Sequence, residues 1–347
     1  MAAMSGGVDS AVAAALLKRE GHEVIGATLQ LYAPPETAPS AADDARRTAD
    51  KLGIPHYVFD LREEFSREII ADFCAEYRRG RTPNPCVRCN RLFKFGRLGE
   101  KARELGADFL ATGHYARIET DKITGQRILK KGLDPRKDQS YFLYRLTQEQ
   151  LGFTLFPLGG LTKQEVKQIA IDLDLPAAAR PESQEICFIP GDDYAAFLDN
   201  YDPSPARPGP IIDSGEKVVG RHRGLRYFTV GQRKGLGIAA AEPLYVTAIA
   251  PERNAVIVGE KAQTYADALT ADNLNWISGD PPAFPLEIKA RVRYRHPEAE
   301  AVVTPRGNDS VYVKFSAPQM AVAPGQSVVF YDGDRVNGGG TISRQGR

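Results

Sequence analysis

The sequence predicts an α/β chain that opens as a doubly wound parallel sheet and closes as a small β-barrel. Three observations carry that reading. Strand-like and helix-like runs alternate from Ser10 to Thr112, the rhythm of a parallel sheet covered by helices on both faces. Pro203, Pro205, Pro208 and Pro210 then mark a linker, after which helical periodicity does not return. Beyond it the chain reads as short strands. Residues 286–296 alternate strictly, with Lys289, Arg291, Arg293 and Arg295 on one face and Ile288, Ala290, Val292 and Tyr294 on the other.

In order, 10–20 is an Ala/Leu-rich helix stopped by Gly21, and 24–31 is a β-branched strand. Residues 34–40 form a loop, 41–52 a helix ended by Gly53, and 56–61 a second strand. Residues 63–77 are helical. A cysteine-bearing loop follows, then a helix over 93–105 and a strand over 109–112 that ends in Gly113-His114-Tyr115. Residues 115–119 and 126–131 pair as a hairpin around Thr124-Gly125. Residues 134–143 are a turn entering a helix, with Asp138 as cap, and Thr162 with Glu165 forms a capping box for the helix to Leu173. Strands over 311–315 and 327–331 complete the barrel.

Function begins at Ser5-Gly6-Gly7-Val8-Asp9-Ser10. Adjacent glycines permit positive φ and let backbone N–H groups approach an anion, while the helix that follows directs its positive end at it. Ser5 and Ser10 add hydroxyl donors. No Lys follows, which separates this loop from the G-x-x-x-x-G-K-[ST] pattern. Asp9 would repel a polyphosphate unless a cation stands between them, so Mg2+ is expected there. The stretch is similar to the PP-loop of the ATP pyrophosphatases, which cleave ATP between its α and β phosphates and leave AMP on the substrate. A buried strand should feed such a loop, and only Met1, Ala2 and Ala3 precede Met4. Either that strand is very short or the sequence begins inside it.

A chain of 347 residues holds two or three domains, and 42% apolar with 26% charged residues is the composition of a soluble globular protein. Four cysteines are too few for a disulfide scaffold and point to a reducing compartment. No signal peptide or membrane span is legible, so a cytoplasmic location is expected. The net charge of +1 gives no global sign of nucleic acid, but local runs do. Arg78, Arg79, Arg81, Arg88, Arg91, Lys94 and Arg97 form one run without an acidic residue, and Lys217, Arg221, Arg223, Arg226, Arg233 and Lys234 form another.

The first run surrounds Thr82-Pro83-Asn84-Pro85-Cys86-Val87-Arg88-Cys89-Asn90. Two prolines stiffen the approach, and the arginines are expected to favour thiolate over thiol. The loop is built to present a reactive sulfur. Cys187, in Ser183-Gln184-Glu185-Ile186-Cys187-Phe188-Ile189, is its natural partner, and Cys74 is read as core. A structural zinc site wants four ligands, and a second C-x-x-C is missing.

Together these motifs resemble the tRNA-specific 2-thiouridylase family (MnmA type) over nearly the whole chain. Its carriers are SGGVDS at Ser5, TPNPCVRCN at Thr82, ATGHYAR at Ala111, GLDPRKDQSYFLY at Gly132, SQEICFI at Ser183, GQRKGLGI at Gly231, RVRYRH at Arg291 and PGQSVVFYDG at Pro324. The resemblance implies an adenylating PP-loop domain over 1–203, of the adenine nucleotide α-hydrolase-like kind. A central β-rich domain over 204–267 and a tRNA-contacting β-barrel over 268–347 would follow. It implies ATP binding by Ala3, Met4, Ser5, Gly6, Gly7, Val8, Asp9, Ser10, Leu29 and Gly113. Cys89 matches the nucleophile and Cys187 the cysteine that receives a persulfide. Asn84, Pro85 and Cys86 would face the target base, and His114, Lys137, Asp138, Gln139, Arg293, Tyr294 and Gln326 would touch tRNA.

The implied reaction has chemical sense. Oxide is a poor leaving group at C2 of a uracil, so ATP first converts that oxygen of the wobble uridine to an adenylate and releases pyrophosphate. Sulfur then displaces AMP, and a Cys89 to Cys187 disulfide closes. The implied partners are tRNAs for Lys, Glu and Gln and a cysteine desulfurase or sulfur-relay protein. Many family members carry Asp where this chain has Cys86, which leaves the role of that position open. A third thiol also admits an iron–sulfur cluster at Cys86, Cys89 and Cys187. The rival classes are a PP-loop ligase that adenylates a small carboxylate or carbonyl, needing neither Cys89 nor Cys187, and a non-catalytic RNA-binding module.

Overall fold

The computed structural model describes residues 1–32, 40–180, 186–189, 191, 193–202, 204–307 and 309–346. The first seven strands are β1 (Ala2–Ala3), β2 (Gly26–Gln30), β3 (His56–Asp60), β4 (Leu110–Ala111), β5 (Ala116–Thr120), β6 (Arg127–Lys131) and β7 (Thr154–Leu155). Five of them form a parallel sheet in the order β3-β2-β1-β4-β7. A strand of two residues, β1, feeds the glycine loop and is seated in the middle of that sheet between β2 and β4.

Small side chains explain how α1 (Val8–Arg19) reaches the sheet. Ala11, Val12, Ala13, Ala14 and Ala15 are all buried, so the helix lies close on every side. Local chemistry sets α2 (Ala41–Leu52) at both ends. Ser40 accepts a hydrogen bond from Ala42 N, and Gly53 takes the left-handed conformation with φ of 60°. The rest of the expected loop over 34–40 lies outside the described residues.

Two expectations are corrected here. The cysteine stretch is helical: Pro85–Cys89 runs on into the π-helical Asn90–Arg97 and then Leu98–Glu104. Pro85 opens that helix at its first position, where a missing N–H has no consequence and the fixed φ is an advantage. Conversely, the helix expected after Asp138 is a single 3-10 turn, Ser140–Phe142. The Asp138 carboxylate accepts from both Gly132 N and Ser140 N, which folds the chain back instead of starting a longer helix.

Beyond residue 204 come β8 (Gly209–Ile212), β9 (Val218–His222), β10 (Tyr245–Ala250) and β11 (Ala255–Gly259), a four-stranded sheet in the order β10-β11-β8-β9. Next are β12 (Tyr265–Trp276), β13 (Leu286–Arg291), β14 (Ala299–Pro305), β15 (Val311–Met320), β16 (Ser327–Asp332) and β17 (Arg335–Gly346). The long β12 pairs with both β15 and β17, which closes these six antiparallel strands into a barrel. Leu269, Val303, Val313, Val328, Phe330 and Ile342 fill it. The alternation expected over 286–296 survives as strand only to Arg291. Past it the chain turns, and Tyr294 packs on Phe142 at 4.4 Å. The β5–β6 hairpin of the first domain extends the barrel sheet through β17, so the first domain and the barrel share one sheet.

Candidate active site

From neighbouring positions in the sheet, β1 leads to β2 and β3 on one flank while β4 leads to β7 on the other. Ligands of open α/β sheets bind in the crevice at such a switch point. The 5–10 loop leaves β1 there and Gly113 leaves β4. The two touch so closely that a Cβ on Gly113 would lie 2.8 Å from Asp9 C and Ser10 N. Gly7 is the N-cap of α1, and no side chain caps its first turn. The leading N–H groups are therefore open to an anion. Ser10 Oγ accepts from Ser5 N at 3.1 Å and donates to Gly7 O at 3.0 Å, which curls the loop and leaves Ser5 exposed. Gly6 has φ of 74°, and Met4 and Val8 are buried beneath the loop, Ala3 and Leu29 half-buried beside it. This cradle fits a polyphosphate.

Asp9 already faces a cation. Lys163 Nζ lies 2.5 Å from its Oδ1, and the Tyr115 hydroxyl donates to the same oxygen at 2.8 Å. The repulsion that calls for Mg2+ on sequence grounds is thus answered within the chain. One carboxylate with its own ammonium is a thin donor set, so a metal ion here would rely on oxygens brought by the nucleotide.

The fold gathers the sulfur chemistry beside this cradle. Cys89 is buried, Cys86 half-buried and Cys187 exposed, and all are free thiols. Ile186, Phe188 and Ile189 pack into the same cluster as Cys89 and Phe93, with Phe188 edge-on to Phe65 at 5.7 Å and Phe73 at 5.4 Å. Cys187 is thereby delivered to the helix of Cys86 and Cys89, within electrostatic reach of both. Tyr32 feels both Cys187 and Arg180, and Arg180 in turn reaches the position a Cβ on Gly6 would occupy, at 3.2 Å. The anion loop and the thiols form one continuous locus.

The expectation of arginine-stabilised thiolates is corrected. Burial pushes the Cys89 thiol up to about 12 and that of Cys187 to about 11, and it raises Cys86 as well. Five of the six arginines are occupied elsewhere. Arg79 and Arg81 pair with Glu76, Arg88 with Asp72, Arg97 with Glu68 and Arg78 with Asp202. Glu68, Asp72 and Glu76 recur every fourth residue on the preceding helical stretch, an acidic stripe that the basic run faces. In the second run Arg226 is buried against Asp199 at 2.7 Å, whereas Lys217, Arg221, Arg233 and Lys234 are exposed.

The remaining predicted residues occupy distinct places. Asn84 is the N-cap of the cysteine helix without using its side chain for capping, and Pro85 is buried. His114 is buried between Phe95 and Phe156, its Nδ1 2.7 Å from Thr112 Oγ1. Burial holds it well below the usual histidine range. Asp138 is buried and pairs with Arg291 at 3.5 Å, Gln139 Oε1 accepts from Tyr115 N at 3.0 Å, and Lys137 is half-exposed. Arg293 is exposed beside Tyr294. Gln326 Nε2 donates to Thr82 O at 2.9 Å and Pro83 O at 3.2 Å, tying the barrel to the approach to Cys86. Sequence reasoning missed Lys163, Arg180 and Tyr115. A lone cation far along the chain carries no local signal of which loop it meets.

Among the described residues, no three His, Cys, Asp or Glu side chains converge as metal ligands. Cys86, Cys89 and Cys187 as placed do not fit an iron–sulfur cluster.

An anion cradle at the switch point of a parallel sheet, contiguous with a buried and an exposed thiol, defines a PP-loop nucleotide-binding protein equipped for sulfur chemistry. The family model for a tRNA methyl transferase HUP domain matches residues 1–191, that for a tRNA methyl transferase PRC-barrel domain residues 195–260, and that for an aminomethyltransferase beta-barrel domain residues 266–342. The tRNA-specific 2-thiouridylase MnmA of Heliobacterium modesticaldum is 51% identical over 99% of this chain and 91% of its own length. Its namesake in Moorella thermoacetica is 51% identical over 99% of this chain and 98% of its own, and that of Halothermothrix orenii 49% identical over the same shares. The chain belongs to the tRNA-specific 2-thiouridylase family.

Proposed function

We propose that this chain is an ATP-dependent tRNA-uridine 2-sulfurtransferase that converts the wobble uridine to 2-thiouridine. The observation that carries the reading is the pairing of an exposed Cys187 with a buried Cys89 next to the 5–10 anion loop. A sulfur donor the size of a protein can reach only an exposed thiol, and attack on RNA needs a second one held inside.

In this reading Ala3 to Ser10, Leu29 and Gly113 bind ATP, with Mg2+ arriving on the phosphates and neutralising their charge beside Asp9. The uridine, splayed from the anticodon, meets Asn84, Pro85 and Cys86. Its O2 attacks the α-phosphate, pyrophosphate leaves, and C2 carries an adenylate. Cys187 receives sulfur from a cysteine desulfurase or relay protein as a persulfide. The terminal sulfur attacks C2 and expels AMP. The Cys89 thiolate then attacks Sγ of Cys187, breaking the S–S bond so that both bonding electrons leave with 2-thiouridine. The Cys89–Cys187 disulfide that forms is reopened by a dithiol reductant.

Residues 204–267 and 268–347 grip tRNA. The exposed Lys217, Arg221, Arg233, Lys234 and Arg293 offer phosphate contacts. Lys137 and Tyr294 extend that surface, and His114, Asp138, Gln139 and Gln326 shape it through their internal bonds. The tRNAs are those for Lys, Glu and Gln. The test is mass spectrometry of tRNA nucleosides after incubation with ATP, Mg2+ and a persulfide source, with pyrophosphate release followed in parallel. Cys89→Ser and Cys187→Ser should each abolish 2-thiouridine. Pyrophosphate release with no 2-thiouridine in the native chain, unchanged in both Ser variants, would overturn the reading in favour of an adenylating ligase that needs neither thiol.

A further inference from the structure

Lys94 is the half-buried cation of its run that no carboxylate holds. Five of the six arginines are paired, and among the described residues no ion pair engages exposed Arg91 or half-buried Lys94. Its position follows from an unusual backbone. In an α-helix five residues turn through about 500°, which would leave residues 89 and 94 about 140° apart around the axis. Here the segment Asn90–Arg97 is π-helical, with Leu98 N donating to Phe93 O five residues back, so residues five apart come onto the same side of the helix on successive turns. Phe93 and Phe95 are both buried and lock this register, and the π segment swings Lys94 onto the side of Cys89. The groups that feel its charge come from three elements: Cys86 and Cys89 on its own helix, Cys187 on the 186–189 segment, and His114 after β4. At all three thiols Lys94 is the one cation that opposes burial. The other charged or titratable groups facing this locus are Tyr32 and Arg180, on the nucleotide side of Cys187.

We propose that Lys94 is the positioning cation of the sulfur transfer: its ammonium stabilises the anion that the Cys89 sulfur becomes as it attacks, and that of the persulfide on Cys187, in a pocket that otherwise disfavours charge. This rests on the sulfurtransferase reading above, but it concerns thiol ionisation, which is measurable without ATP or tRNA.

The experiment compares iodoacetamide alkylation rates at Cys89, Cys187 and Cys74 across pH, resolved by peptide mass spectrometry, in the full chain and in Lys94→Met, Lys94→Gln and Lys94→Arg. Loss of one opposite charge moves a thiol by about one pH unit, so Met and Gln should slow Cys89 and Cys187 about tenfold at a fixed pH near 8. Arg should restore most of the rate, and Cys74, whose neighbouring charges are Asp202, Arg78 and Arg226, serves as the internal control. Unchanged Cys89 and Cys187 profiles in a folded Met or Gln variant would overturn the proposal. So would an Arg variant as slow as Met, since that would mark a purely steric role. If the profiles shift while the native chain forms no 2-thiouridine, the charge partner stands and the sulfurtransferase reading fails.

Discussion

Exposure separates two thiols that desolvation makes reluctant to ionise. Cys187 reaches solvent and Cys89 does not, while their ionisation is pushed to about 11 and about 12. Alkylation of the resting protein should therefore label Cys187 first, by about tenfold or more, and accelerate roughly tenfold per pH unit from neutrality upward. Equal labelling of the two would contradict the placement. His114 gives a second prediction. A histidine held neutral in the fold, below its usual 6.5, contributes stability that is present above that value and lost as pH falls beneath it. His114→Asn should lower the thermal midpoint near pH 7.5, because the bond to Thr112 is lost, yet flatten the fall between pH 6.5 and 5. His56 and His222, also depressed by burial, should keep the slope from vanishing. The cysteines were legible in the sequence because their residue type announces chemistry. Lys94 was not, since a spacing of five residues places it off the face of Cys89 on any ordinary helix.

At the scale of elements, the contact between the turn after β4 and the start of α1 decides whether the nucleotide cradle closes. A Cβ at Gly113 would meet backbone atoms rather than a flexible side chain. Gly113→Ala should then cost about 1–3 kcal/mol of stability and at least about tenfold in ATP affinity, read by thermal unfolding and calorimetric titration. Retained affinity would place the nucleotide elsewhere. Elements whose ends are set locally were readable: α2 lies between the Ser40 cap and Gly53, and the Thr162 and Glu165 capping box is formed as expected. Elements governed by distant packing were not. The two prolines before Cys86 suggest a stiff loop, but Pro85 begins a helix, and the π register beyond it is fixed by buried aromatic residues that sequence periodicity does not report.

Across the whole molecule, the barrel domain and the central domain both meet the cysteine-bearing domain at Thr82. Its N–H donates to Pro324 O at 2.8 Å, its hydroxyl to Thr229 Oγ1 at 3.1 Å, and Gln326 grips its carbonyl. The barrel and the central sheet therefore set the approach to the cysteine helix. Gln326→Ala should lower the rate of 2-thiouridine formation at saturating tRNA about tenfold while leaving ATP affinity within about twofold, since the anion loop makes no contact with Gln326. The central claim is that sulfur passes from an exposed Cys187 to RNA with Cys89 closing behind it. The most direct measurement loads the enzyme with one equivalent of isotopically labelled persulfide, adds ATP and tRNA for a single turnover without reductant, and quantifies both products by mass spectrometry. Labelled 2-thiouridine and a Cys89–Cys187 disulfide should appear in equal amounts and at equal rates. Labelled 2-thiouridine formed while both thiols remain free would contradict the account.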